Sequence, residues 1–146
     1  MRVRTLPLAL AVLTSIVACD GPQALSVELV EAPAIPTAVN CGNAPQLRQF
    51  AANDRKWVGE SRSDHERISL GSRANFLSTL AVVADLKCKV TGTDAEEPLK
   101  VALDAARKAE STDSVYEKTR GFNEANFAAI RAVAVLTERL AAPAAK

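Results

Sequence analysis

From Asn43 to Leu140, the apolar residues of this chain recur every three to four positions, in four blocks separated by turn signals. That spacing follows the 3.6-residue turn of an α-helix, so each block has one face to hide and one face for water. An isolated amphipathic helix leaves its stripe exposed. Four of them in one short domain are expected to pack on one another, which makes the chain all-α.

The first block opens with Asn43 as a possible cap, Pro45 in the first turn and Gln46 three residues after the cap, the spacing of a capping box. Leu47, Phe50, Ala51, Trp57 and Val58 share its apolar face, and Gly59 ends it. Trp57 keeps phase with Leu47 and Phe50, which favours core packing over a binding role. Ser63 and Glu66 form a second box and start the next helix near Asp64, with Leu77, Leu80, Ala81, Ala84 and Cys88 in phase and a bend or break expected at Gly71. After the Thr91-Gly92 stop, Thr93 and Glu96 form a third box, and Leu99, Ala102, Leu103 and Ala106 make the third stripe. The polar run Ser111 to Ser114 is a turn. The last helix runs from about Val115 to Leu140, with a possible bend at Gly121 and a stripe of Phe122, Ala129, Val133, Leu136 and Leu140. The helical domain is thus placed at 43–142, with a fraying tail at 143–146.

Short stretches repeat. Leu47-Arg48 and Arg55-Lys56 match Leu99-Lys100 and Arg107-Lys108 at an offset of 52, and Ala74-Asn75-Phe76 matches Ala125-Asn126-Phe127 at an offset of 51. Matches this short also arise by chance in an Ala-rich chain. With or without duplication, the pattern describes two antiparallel helical hairpins, and stacking them into an antiparallel four-helix bundle is the cheapest burial.

The other constraint lies at the N-terminus. Arg2 and Arg4 precede an apolar run from Leu6 to Ala18, which ends Ile16-Val17-Ala18-Cys19. A basic start, a short apolar stretch and small residues before a cleavage point describe a secretory signal, and the run is too short to span a bilayer. With Cys19 at the first mature position, residues 1–19 resemble the lipobox of bacterial lipoproteins. The resemblance implies cleavage before Cys19, diacylglycerol on its sulfur and an acyl group such as palmitate on its amine. It also implies a periplasm-facing, membrane-anchored protein, and Asp20 points weakly to the inner rather than the outer membrane. Residues 19–42, with Pro22, Pro33 and Pro36, read as a tether holding the domain off the bilayer. Within it Ser26 to Val30 alternates, but a single strand has nothing to pair with.

Exported chains meet an oxidising compartment, so the two remaining cysteines, Cys41 and Cys88, are expected to form a disulfide. The chain has one histidine, His65, too few for the Glu-x-x-His pairs of di-metal bundles or for a four-ligand zinc site, and no metal or other cofactor is expected. Ser63-Asp64-His65 is not read as a catalytic triad, because consecutive helical residues point in different directions. Glu96-Glu97 sit in a first turn, where acids complement the helix dipole. Without Arg2 and Arg4, 16 basic residues face 17 acidic ones, so a nucleic-acid partner is not expected.

By elimination the expectation is a non-enzymatic envelope factor that binds a protein partner. It would be an accessory lipoprotein of a secretion or conjugation machine, or an immunity-type inhibitor of an envelope-targeting toxin. The competing reading is a carrier of a small apolar ligand, or an enzyme, using a pocket between Ala-rich helices. For a partner surface the candidates are Phe127, Arg131 and Val135, which point away from the main stripe of the last helix. Aromatic residues and arginine are the types enriched at the centres of protein interfaces.

Overall fold

In the computed structural model, which describes residues 34–90 and 93–142, a one-turn 3-10 segment at Cys41–Asn43 leads into four α-helices. These are α1 (Ala44–Glu60), α2 (Asp64–Lys87), α3 (Glu96–Ser111) and α4 (Val115–Ala141), and no strand occurs among the described residues. The boundaries fall within a residue or two of those expected. The expected signal peptide, Cys19 and the part of the expected tether up to residue 33 lie outside the described residues, as does the tail at 143–146.

Local chemistry sets the helix starts, and not always as the sequence pattern suggests. At α2 the Ser63 hydroxyl accepts from the Glu66 amide at 3.4 Å, while the Glu66 carboxylate accepts from Ser61 Oγ at 2.5 Å. The same knot recurs 51 residues later. Ser114 Oγ accepts from the Glu117 amide at 3.3 Å, and Glu117 accepts from Thr112 Oγ1 at 2.8 Å. This shared geometry extends the sequence repeat to the turn of each hairpin. The boxes expected at Asn43 and Thr93 do not form. Asn43 instead pairs with Asn40 around the 3-10 turn, its Oδ1 accepting from the Asn40 amide at 3.1 Å. Glu96 is held by Lys87 Nζ at 2.6 Å, which leaves the α3 start to a backbone turn from Thr93. Neither Gly71 nor Gly121 interrupts its helix.

Each hairpin is antiparallel, α1 on α2 and α3 on α4, and the hairpins meet through α2 and α4. Those two helices run parallel. The Phe76 ring meets Phe122 at 6.5 Å between centroids, and one turn further along both helices Thr79 Oγ1 donates to Asn126 Oδ1 at 2.6 Å. The core holds Leu47, Phe76, Leu77, Leu80, Val83 and Phe122, each no more than 3 % exposed. Gly121 allows α3 to approach closely: a Cβ there would lie 2.7 Å from Ala109 Cβ. Gly121→Ala should therefore destabilise the domain by about 1 kcal/mol in urea unfolding, since overpacking costs roughly 1–3 kcal/mol and the gain in helix propensity is only about 1 kcal/mol.

Helices α1 and α3 do not pack directly on each other among the described residues. The chain before α1 helps cover this interior instead, which corrects the placement of the whole of 19–42 as a free tether. Ile35 and Val39 are 6 % and 2 % exposed and belong to the core. The Ile35 amide donates to Glu110 Oε2, and Arg107 Nη2 donates to the Thr37 carbonyl, both at 3.1 Å. The domain thus begins by about residue 34. Two apolar side chains four residues apart outweigh the freedom lost by docking this short segment, because a place in the core was open to them.

The Cys41–Cys88 disulfide joins the start of α1 to the end of α2, with a Cα–Cα distance of 4.7 Å. Cys41→Ser/Cys88→Ser should lower unfolding free energy by about 2–4 kcal/mol, the usual range for a loop of this size. Urea titration of the oxidised chain and the double variant measures the difference.

Candidate functional site

Helix α4 presents two faces of opposite character. Phe122, Ala125, Ala129, Ala132 and Leu136 are buried, and they alternate by three and four residues along the side that meets α2 and α3. On the other side Tyr116, Phe127 and Ile130 are 78 %, 68 % and 47 % exposed. Arg131 is exposed beside them and makes no ion pair among the described residues. Arg120 is hydrogen-bonded to Glu124 at 2.8 Å, and that bond together with the carboxylate charge raises its pKa above the ordinary arginine value. Of the three residues singled out from the sequence, Phe127 and Arg131 share this open face. Val135 does not belong with them: it is half-buried and packs against the core. On a 100° helical wheel Val135 falls near Ala128, which is itself buried. Ile130 takes its place, one turn from Phe127 and flush with it.

A second constellation lies inside. Asp54 on α1 is 1 % exposed and receives both Nε and Nη2 of Arg73 on α2, at 2.7 and 2.5 Å. Arg73 Nη1 lies 4.0 Å from Glu110 on α3, whose other oxygen takes the Ile35 amide. One guanidinium thus links three helices and, through Glu110, the segment before α1. Such a fork-to-fork pair satisfies both charges geometrically. Helical periodicity alone does not reveal this pair, yet the sequence carries a signal for it. Asp54 follows Leu47 by seven residues and Ala51 by three, so an acid occupies an apolar stripe, and a buried acid needs a cation opposite.

The other features noted in the sequence stay dispersed. His65, Ser63 and Asp64 are exposed at the start of α2, with Asp64 paired to Arg67. Trp57 is half-buried on α1. Two surface grooves open to solvent. One, of about 280 Å³, lies between α3 and α4 and includes Lys108, Glu117 and Arg120, and another, of about 510 Å³, lies where residues 37–40 cross α3. Among the described residues no three His, Cys, Asp or Glu side chains cluster as metal ligands, and no helix is long and apolar enough to cross a membrane.

No protein-family model, curated protein or solved structure matches this chain.

Proposed function

We propose that the protein is a lipid-anchored, non-enzymatic factor of the bacterial envelope whose helical domain engages a protein through the open face of α4. The observation that carries the reading is the exposure of Phe127 and Ile130 beside Arg131, on a helix whose opposite face is core. Aromatic and aliphatic anchors around an arginine form the chemistry of an interface centre, and single-sided helices offer them on a rigid support. Anchorage comes from the lipobox at residues 16–19, with acylated Cys19 in the membrane and the domain on the periplasmic side. Asp20 favours the inner membrane. Two acyl chains hold a protein on a bilayer stably where one does not.

The docked segment sharpens this picture. With Ile35 fixed to the domain, only the residues between it and Cys19 bridge to the lipid, a reach of at most about 55 Å when fully extended. Confinement to that layer raises the effective concentration for partners at the same membrane. A secretion or conjugation accessory and an immunity-type inhibitor both work in this layer.

Cys19→Ser tests the anchor. The variant should lose lipid labelling and leave the membrane fraction after a salt wash, with its helical circular dichroism unchanged. Retention in the washed membrane would contradict the lipobox reading. Phe127→Ala tests the face: it should leave melting nearly unchanged and reduce recovery of the partner from native membranes.

A further inference from the structure

We infer that the partner seated on the open face of α4 is a second copy of this chain, packed antiparallel across it. The inference rests on the reading of that face as a docking surface and names its occupant. Tyr116, Asn123, Phe127, Ile130, Ala134 and Ala141 are all exposed, and they follow one another by seven, four, three, four and seven residues. With Arg120 and Thr137, which fill the two intervening positions and are also exposed, they make the a/d series of a coiled-coil seam over most of the 27-residue helix. The core of the domain accounts for the other face of α4 and leaves this seam uncovered.

Its size pattern is self-complementary in one direction only. In a twofold antiparallel pair, residues whose numbers sum to 257 face each other. Phe127 then meets Ile130 of the second copy, Asn123 meets Ala134, Arg120 meets Thr137, and Tyr116 meets Ala141. Each of the outer layers sets a larger side chain against a small one, the arrangement that lets two helices approach closely. In a parallel pair identical residues would meet, so Arg120 would face Arg120 and Ala134 would face Ala134, giving a repulsion and a gap.

The charges agree with the same direction. Glu124 and Arg131 flank the seam on one side and are exposed. Antiparallel pairing brings Glu124 of each copy beside Arg131 of the other, making two equivalent ion pairs around the Phe127–Ile130 centre. In the single chain Glu124 is occupied by Arg120, while Arg131 makes no ion pair among the described residues. Docking would therefore give Arg131 the partner it lacks.

The test uses the full-length chain purified in detergent. Asn123→Cys/Ala134→Cys should cross-link to a covalent dimer under mild oxidation. Either single variant should give at least about tenfold less dimer, because neither position faces itself. In sedimentation velocity Glu124→Arg should weaken association by about tenfold, and the exchange Glu124→Arg/Arg131→Glu should restore it. A monomer at about 100 µM, cross-linking as strong in a single variant as in the double, or a charge exchange that fails to restore association would each overturn the inference. Phe127→Ala separates the two levels of the argument. A monomeric chain that loses a different envelope protein on this substitution refutes self-association and keeps the docking face. A monomeric chain that loses nothing on it refutes both.

Discussion

Arg73→Ala should cost about 3–5 kcal/mol of unfolding free energy, more than loss of any exposed ion pair in the molecule. Asp54 is 1 % exposed and its two oxygens are both held by Arg73, so the variant would leave a carboxylate in the core with no cation. The loss has two further parts. Glu110 loses its nearest cation, and of the ion pairs between α2 and α3 only Lys87–Glu96 remains among the described residues. Urea unfolding of wild type and variant gives the difference directly. Replacing both partners with apolar residues of similar volume, as in Asp54→Leu/Arg73→Met, should recover most of the stability, because neither charge then remains unpaired. If Arg73→Ala unfolds within about 1 kcal/mol of wild type, the pair is solvated and does not hold the helices together. By contrast, disrupting exposed pairs such as Lys100–Asp104 or Lys56–Glu60 should change stability by less than about 0.5 kcal/mol.

Phe76→Ala should destabilise by about 3–5 kcal/mol, whereas Phe127→Ala should stay within about 0.5 kcal/mol of wild type at concentrations low enough to keep the chain monomeric. The two phenylalanines end the same tripeptide, Ala-Asn-Phe, at matching places in the two hairpins. Phe76 is fully buried against Phe122, and Phe127 is 68 % exposed. Thermal melts of the two variants side by side measure the contrast. Equal losses would mean that the outer face of α4 is covered in the native protein under the conditions of the melt. A concentration-dependent loss at Phe127 alone would point to association rather than to the fold.

That contrast marks where reading the residues ends. Four helices, most of their apolar stripes, the Ser63–Glu66 cap and the Cys41–Cys88 bond follow from spacing and from a count of thiols, because they depend on residues near in sequence. Leu140 and Cys88, expected on the stripes of the last and second helices, are exposed at helix ends where no neighbour covers them. Leu47, Leu77, Leu99 and Leu136 were each placed on a buried face and are buried. The parallel approach of α2 and α4, the docking of Ile35 and Val39, and the Asp54–Arg73 pair were not legible in the same way. Periodicity says which face of a helix is apolar, and nothing about which neighbour covers it. Val135 shows the limit. Its wheel position lies off the main stripe, yet the width of the buried arc on α4 depends on how closely α3 can come, and Gly121 against Ala109 makes that approach close. Phe127 shows the same limit from the other side. The sequence alone determined that it stands away from the stripe of Phe122 and Leu136. Only the tertiary structure decided that it stays exposed while Phe76, in the same local sequence, is enclosed: α2 and α4 each have two helix neighbours, but Phe76 lies against Phe122 where α2 meets α4, and Phe127 lies on the side of α4 turned away from both α2 and α3.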